Sequence, residues 1–186
     1  MSFVVAIDGP AGSGKGSITK IIADKMNLSC IDTGAMYRCV TLDMINKNIN
    51  VDELDKVKEL LKNIDINLDE ENQKVYLNGE DVTKKIRSIE VTKQVSKVSA
   101  IKEVRLKLVD MQRKIAKNKD IIMEGRDITT VVFPNADVKI YLDADVEERA
   151  KRRFKQNEEK GRRNNSYESD GYCKKDWWFG AGCNPK

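Results

Sequence analysis

The sequence contains no histidine, which excludes a catalytic histidine. It also lacks an apolar run of about 18 residues and a signal-peptide pattern, so no segment predicts a membrane span or secretion. Cysteine is scarce, and the four cysteines lack the paired spacing of a zinc site. We therefore expect a soluble cytoplasmic protein with free thiols at Cys30, Cys39, Cys173 and Cys183.

A strong excess of either charge is absent as well. The 34 basic and 30 acidic residues give a formal net charge of +4, which is too balanced to indicate a nucleic-acid partner by itself. We therefore predict that the chain binds neither nucleic acid nor a membrane, and that its basic groups serve anionic small molecules. Its 186 residues suffice for one domain with a small insertion.

The glycine-rich stretch from Gly9 to Ser17 is the most informative motif of the chain. A short apolar run at residues 3–7 precedes it and predicts a buried strand. Strand, glycine-rich loop and helix in this order form the context of a phosphate-binding loop, or P-loop, in which Lys15 reaches the terminal phosphates. A glycine-rich turn with a surface lysine is the alternative. The helix is predicted by apolar residues that share one face, Ile18, Ile21, Ile22 and Met26.

A second strand and helix are predicted for residues 28–44. The strand ends in Asp32-Thr33-Gly34, where either Asp32 or Thr33 can cap the helix. Arg38 follows one turn into this helix and is placed to bind an anion near the strand end. A capped helix with an exposed arginine explains the same stretch equally well.

Residues 50–85 differ in character and predict a small insertion that contains a helix and a β-hairpin. Such an insertion can fold over a substrate and exclude water. The predicted elements are a helix over 54–61, strands over 64–68 and 74–77, and a turn at Asn78-Gly79. The next segment, residues 87–117, predicts two helices or one helix with a break near Ala100.

A short strand at residues 120–124 ends in an acid, Glu124, and Gly125-Arg126-Asp127 follows at once. In open α/β sheets, ligands bind beyond the C-terminal ends of the strands. Glu124 can therefore organise Mg²⁺ through water, and Asp127 can hold a polar edge of a substrate or orient Arg126. A local ion pair between Arg126 and Asp127 is the alternative.

The last predicted pair of elements is a strand over residues 138–142 and a helix over residues 143–156. The apolar positions of this helix, Val146, Ala150 and Phe154, are expected to face inward. Its other face carries three arginines, which either form a solvated surface or clamp polyphosphate when a lid closes. They are Arg149, Arg152 and Arg153.

Four separated motifs, in this order, are similar to those of bacterial cytidylate kinases. They are Ile-Asp-Gly-Pro-Ala-Gly-Ser-Gly-Lys-Gly-Ser, Ile-Asp-Thr-Gly-Ala-Met-Tyr-Arg, Glu-Gly-Arg-Asp followed by Val-Val-Phe-Pro, and Glu-Glu-Arg-Ala-Lys-Arg-Arg. The resemblance implies a three-layer α/β P-loop fold of the nucleoside monophosphate kinases, with a parallel sheet and a small helix-plus-hairpin insertion. It implies a kinase core over residues 1–161, which includes a monophosphate-binding insertion at 50–85 and a lid that begins near 149.

The resemblance also implies an ATP-dependent kinase of pyrimidine metabolism, and we expect the chain to be a monomer. It would transfer the γ-phosphoryl group of ATP to CMP or dCMP, with UMP as a poorer acceptor and Mg²⁺ as the metal. The implied ATP-binding residues are Gly9, Pro10, Ala11, Gly12, Ser13, Gly14, Lys15, Gly16 and Ser17. The implied acceptor-binding residues are Ser13, Thr33, Arg38, Ser96, Arg105, Arg126 and Asp127. The implied catalytic residues are Lys15, Arg126, Arg149 and Arg153, and the implied metal ligands are Ser17 and Glu124.

Two features depart from the family pattern. Glycine usually follows Gly-Arg-Asp-Ile, whereas this chain has Thr129, which would be strained at a positive φ or obstructive near a ligand. The likeness ends after Ser166-Tyr167-Glu168 and leaves an atypical tail at residues 162–186, which we expect to weaken catalysis. A nucleotide-binding chain with impaired catalysis and another small-molecule P-loop kinase therefore stand as alternatives. A GTPase is disfavoured, because a guanine-specifying Asn-Lys-x-Asp element is missing.

Overall fold

A computed structural model of the chain describes residues 2–69 and 72–159. The strands of these residues are β1 (Val4–Asp8), β2 (Ser29–Asp32), β3 (Ile66–Asp69), β4 (Lys74–Leu77), β5 (Glu80–Asp81), β6 (Ile121–Gly125) and β7 (Val138–Tyr141). The helices are α1 (Lys15–Met26), α2 (Thr33–Asn46), α3 (Leu54–Asn63), α4 (Ile89–Ser99), α5 (Lys102–Ala116) and α6 (Val146–Glu159), with a 3-10 helix at Lys85–Arg87 and a π-helical turn at Ile128–Val132. The α/β class predicted from the sequence is confirmed. The tail predicted at 162–186 lies outside the described residues.

The chain divides into two compact units. Among the described residues, the P-loop unit consists of residues 3–28 and 122–159, and the helical unit consists of residues 2, 29–69 and 72–121. The described residues include a four-stranded sheet, which carries the parallel pairing of β1 with β7, and a three-stranded antiparallel sheet.

In the P-loop unit, β6, β1 and β7 lie side by side in this order. All five residues of β1 are buried, and residues 4–7 form the continuous apolar run expected in the middle of a parallel sheet. The register places Val5 opposite Val138 and Asp8 opposite Tyr141. Just beyond the paired strands, the Leu142 N–H donates to the Asp8 carbonyl at 2.8 Å. The P-loop therefore begins from a strand end that is fixed on the sheet.

Two glycines of the P-loop are required for different reasons. Gly9 has a φ of +154°, and a Cβ atom there would lie 2.0 Å from the Leu142 carbonyl oxygen, so no other residue fits without moving the backbone. Gly14 has a φ of 98° and is the left-handed residue from which α1 starts. The loop thus turns sharply at both ends, next to β1 and next to α1.

Helix α1 forms where the sequence predicts it, but its apolar stripe is not the face that is buried. Ile18 and Ile21 are 38% and 55% exposed. The buried residues are Lys15, Thr19 and Ala23, which share one face because they are spaced four residues apart. Lys15, which points into the P-loop, therefore lies on the face that the helix buries.

Helix α6 is also rotated away from the prediction. The expectation that Val146 and Phe154 face inward is wrong, because they are 52% and 40% exposed. Among the side chains of this helix that the structure describes, Arg149 is the buried one, at 6% exposure. The polar contacts of its guanidinium, described below, compete with the burial of the apolar stripe.

In the helical unit, α2 lies at the centre of one hydrophobic cluster that α3, α4 and α5 complete. The Asp32 carboxylate accepts from the Ala35 N–H at 3.2 Å, so Asp32 rather than Thr33 caps α2. The predicted break near Ala100 is observed, and α4 and α5 are separate helices. The fully buried cluster members of these helices include Met36, Cys39, Val40, Val57, Val104 and Leu108.

The segment from 50 to 85 contains α3 and the three-stranded sheet, in the order β3-β4-β5. Asn78 and Gly79 have positive φ values of 50° and 84°, which is typical of a type I′ hairpin turn. The predicted hairpin of β3 and β4 is therefore present, and the turn at Asn78 and Gly79 leads into a further strand, β5. Sequence patterns missed β5 because it has only two residues, both exposed.

Within the described ranges, no helix is long and apolar enough to cross a membrane. Neither Cys30 nor Cys39 forms a disulfide within these ranges, and Cys173 and Cys183 fall outside them.

We predict that Gly9→Ala lowers the free energy of unfolding by about 3 kcal/mol or more, because a Cβ 2.0 Å from the Leu142 oxygen displaces backbone. Gly14→Ala is the matched control in the same unit. Its φ is also positive, but the nearest atom to its Cβ lies at 3.6 Å, so conformational strain alone should cost about 1–2 kcal/mol. Urea denaturation followed by circular dichroism measures both losses. Equal losses would contradict the close approach at Gly9.

Candidate active site

The P-loop is shaped by three cationic side chains that bind its carbonyl groups. Lys15 Nζ donates to the Gly9 carbonyl at 2.6 Å and to the Pro10 carbonyl at 2.8 Å. Arg149 donates to the next carbonyl, that of Ala11, at 3.5 Å. Arg152 donates to the Gly12 carbonyl at 3.4 Å and to the Ser13 carbonyl at 3.2 Å. Every carbonyl from residue 9 to residue 13 thus accepts from a cation.

This arrangement has a direct consequence for anion binding. When successive carbonyls of a loop are held on one side, N–H groups of that loop can line a concavity on the other side that accepts an anion. The Ser13 N–H is an exception, because it donates to the Pro10 carbonyl at 3.4 Å. The first turn of α1 adds the partial positive charge of a helix N-terminus. The Ser13 hydroxyl is buried and has no hydrogen-bond partner among the described residues, which is expected if it bonds to a ligand atom.

The arginines of α6 differ in their contacts. Arg149 Nε donates to the Ala144 carbonyl at 3.1 Å, in addition to the contact with Ala11. Arg153 donates to Gln156 Oε1 at 3.4 Å, within its own helix. Arg152 was assigned no individual role from the sequence, yet it binds two P-loop carbonyls. A helix face with several arginines does not reveal which of them faces the loop.

The groups near Gly16 fit Mg²⁺ that is bound mainly by phosphate and water. Glu124 Oε1 would lie 3.2 Å from a Cβ on Gly16, so this carboxylate lies against the first turn of α1, beside the exposed Ser17. In residues 2–69 and 72–159, no group of three or more His, Cys, Asp or Glu side chains could hold a metal ion. Mg²⁺ often takes only one or two protein ligands together with substrate phosphates, so one carboxylate and one hydroxyl are compatible with it.

The loop that carries Arg126 and Asp127 is attached to the end of β1. Asp8 is buried and accepts from the Ile128 and Thr129 N–H groups, each at 2.8 Å. Thr129 adopts a negative φ, so the strain considered for a threonine at this position does not arise. The Thr129 hydroxyl donates to the same carboxylate at 2.6 Å. Sequence reasoning missed Asp8, although an acid between a buried strand and a P-loop was a usable signal.

The helical unit holds Arg38 by two acceptors. Its Nη1 donates to the Ile86 carbonyl at 3.2 Å and to Thr92 Oγ1 at 2.9 Å. Next to Ile86 in the chain, Arg87 Nη2 lies 3.3 Å from Asp32 Oδ2, so the cap of α2 is also tied to the 3-10 helix. No local pattern in the sequence selects Thr92 or Arg87, since each bonds to a residue more than 50 positions away.

The remaining predicted residues of the helical unit lie on different elements. Thr33 is buried at the start of α2, Ser96 is exposed on α4, and Arg105 is half-buried on α5. Cys39 follows Arg38 in the chain, and burial, with a smaller contribution from the Asp32 carboxylate, raises the pKa of its thiol to about 12. This thiol is therefore neutral near pH 7 and is not a nucleophile.

Comparison with known proteins assigns the family. A family model described as cytidylate kinase matches residues 5–169. A cytidylate kinase from Fusobacterium nucleatum subsp. nucleatum is 57% identical over 153 residues, which cover 82% of this chain and 69% of that protein. The chain belongs to the cytidylate kinase family. A second cytidylate kinase, from Caldicellulosiruptor saccharolyticus, is 52% identical over 170 residues, which cover 90% of this chain and 73% of that protein.

Membership in the cytidylate kinase family confirms the resemblance seen in the motifs. The match extends through both units, because residues 5–169 include the P-loop, Arg38 and the Gly125-Arg126-Asp127 segment. The individual roles of the predicted site residues stay predictions.

We predict that Arg149→Ala lowers the free energy of unfolding by about 1–3 kcal/mol, because two backbone carbonyls lose a buried charged donor. Arg153→Ala is the matched control on the same helix and should change it by about 0.5 kcal/mol or less. Urea denaturation of both variants tests this difference. If the two losses are equal, the guanidinium of Arg149 does not support the P-loop.

Proposed function

We propose that this chain transfers the γ-phosphoryl group of ATP to CMP or dCMP and yields CDP or dCDP. The observation that carries the proposal is the P-loop whose carbonyls from residue 9 to residue 13 all bond to cations, in a chain of the cytidylate kinase family. ATP, as the co-substrate, follows from the family, and the choice of acceptor is the part that experiment must decide. We further propose that the chain acts as a cytoplasmic monomer.

On the ATP side, the residues from Gly9 to Ser17 would surround the phosphates. Their backbone N–H groups supply neutral donors, and Lys15 supplies a point charge that can leave its two carbonyl partners for a phosphate oxygen. The unpartnered Ser13 hydroxyl supports a ligand atom in the same place. Ser17 and Glu124 would hold Mg²⁺, which when bound neutralises charge on the phosphates.

On the acceptor side, Arg38 and Arg126 would bind the phosphate of CMP, because guanidinium groups match phosphate oxygens in bidentate geometry. Arg38 is already held by Ile86 and Thr92, so little freedom is lost when it binds. The base and sugar would be recognised by Thr33, Ser96, Arg105 and Asp127.

The proposed reaction needs no general base, because the attacking group is a phosphate oxygen that is already charged. Phosphoryl transfer depends mainly on positioning and on charges that stabilise the transition state. Lys15, Arg126 and Arg153 would supply such charges. Arg149 would contribute in a different way, since its guanidinium bonds to the Ala144 and Ala11 carbonyls and thereby shapes the P-loop.

We predict that the chain shows ATP turnover that depends on CMP or dCMP, with less turnover for UMP and none for AMP. In the same coupled assay of nucleoside diphosphate release, Lys15→Ala should lower kcat by about 10²–10³-fold, because a charge on the transferring phosphates is lost. Lys20→Ala, an exposed lysine on the same helix, is the matched control and should leave kcat unchanged.

The assay separates the alternatives. ATP binding without turnover for any acceptor would favour a nucleotide-binding chain with impaired catalysis, the outcome considered for the atypical tail. Turnover with a different acceptor would favour another small-molecule kinase. A Lys15→Ala variant with parental kcat at saturating ATP would show that the P-loop assignment is wrong.

We also predict that Arg105→Ala and Asp127→Asn each raise the KM for CMP about tenfold or more and change the KM for ATP less than about twofold, because each loses a charged hydrogen bond to the acceptor. Arg113→Ala, an exposed arginine on the same helix as Arg105, is the matched control. Initial rates over a grid of both substrates measure the two constants. Equal increases in both would indicate a general loss of structure instead of an acceptor role.

A further inference from the structure

Asp8 is a buried carboxylate, only 2% exposed, at the end of β1. Its Oδ1 accepts from the Ile128 N–H at 2.8 Å, and its Oδ2 accepts from the N–H and the hydroxyl of Thr129, at 2.8 and 2.6 Å. A buried carboxylate is stable only with such donors, because an unpaired buried charge is costly. All three donors belong to the first two residues of the π-helical turn.

The two sides of this contact are not equally fixed. On one side, Asp8 is held by the sheet, since it lies opposite Tyr141 and its carbonyl accepts from the Leu142 N–H. On the other side, the Asp127 carbonyl accepts from the Val131 and Val132 N–H groups, so this turn is closed by bonds to its own residues. Asp8 is therefore the anchor, and the turn that follows Asp127 is the part that it positions.

We propose that Thr129 is a positioning residue for acceptor recognition, which acts by donating its hydroxyl to Asp8 and so holding Arg126 and Asp127 in place. The inference rests on the proposed role of Arg126 and Asp127 in binding CMP. Glycine at position 129 would supply the backbone donor but no hydroxyl. The threonine of this chain thus adds a hydrogen bond to a charged acceptor, which is stronger than a neutral one.

The expected effect is specific to one substrate. Without the hydroxyl, Asp8 Oδ2 keeps only the Thr129 N–H, and the turn gains freedom that CMP must restrict when it binds. The P-loop should not respond, because the Asp8 backbone, from which the P-loop begins, stays fixed by β7 and by the Leu142 N–H. The KM for CMP should therefore rise while the KM for ATP stays constant.

The test compares Thr129→Val, which removes the hydroxyl at nearly constant volume, with Thr129→Ser, which restores it. Thr130→Val is the matched control, because Thr130 is exposed and its hydroxyl has only a 3.5 Å contact with the Asp127 carbonyl. Thr129→Val should raise the KM for CMP about tenfold, the loss expected for one charged hydrogen bond, and the KM for ATP less than about twofold. Thr129→Ser and Thr130→Val should match the parent chain.

A second readout does not depend on catalysis. Amide hydrogen exchange of a peptide that spans residues 126–132 should be faster in Thr129→Val than in Thr130→Val, and slow again in Thr129→Ser. If Thr129→Val does not fold, Thr129→Ala removes the same hydroxyl without adding bulk and serves in both measurements.

The outcomes separate this inference from the proposed function. If the parent chain turns over CMP but Thr129→Val has parental KM values, or raises both KM values equally, the positioning role is overturned and the kinase function stands. If the parent chain neither turns over nor binds CMP in calorimetry, the proposed function fails and this inference fails with it.

Discussion

Three cationic side chains donate hydrogen bonds to the carbonyl groups of the P-loop, and the shape of the loop and the placement of α1 and α6 are linked to these contacts. The carbonyls of five consecutive residues, 9–13, accept from Lys15, Arg149 and Arg152. A loop held in this way keeps its N–H groups oriented for an anion before any nucleotide binds, which reduces the ordering cost of binding. The contacts also bring α6 to the P-loop, which lies more than 130 residues earlier in the chain.

The same contacts bear on which faces α1 and α6 bury. Lys15 of α1 and Arg149 of α6 are buried polar residues, each at 6% exposure. A hydrogen-bonded charge that is turned away from its partners would leave buried carbonyls unpaired, at a cost of about 1–3 kcal/mol for each group. That cost competes with the burial of one isoleucine or phenylalanine side chain, about 1.5–3 kcal/mol. Lys15 and Arg149 each bond to two carbonyls, and each helix leaves at least two large apolar side chains exposed, so the two contributions are of similar size.

In each unit, hydrogen bonds to neighbouring groups hold a proposed acceptor residue or the loop that carries it. In the helical unit, Arg38 is held by a carbonyl and a hydroxyl from the segment around α4. In the P-loop unit, the loop with Asp127 is held by the carboxylate of Asp8. The residues proposed to meet a phosphate or a base are thus held in place by neighbouring groups, which is the arrangement that phosphoryl transfer by positioning requires.

The sequence by itself determined the order of the main strands and helices and the position of the P-loop. It also showed that Arg126 and Asp127 directly follow a strand that ends in an acidic residue. These signals are local. The sequence also carried the family likeness. Which groups meet across the chain was decided only by the tertiary structure. Asp8 and Thr129, 121 positions apart, form a hydrogen bond that no periodicity reveals, and the same holds for Arg38 with Thr92. Local patterns record how a residue is spaced from its neighbours, whereas hydrogen-bond geometry depends on how distant elements pack, and so only the folded chain could show it.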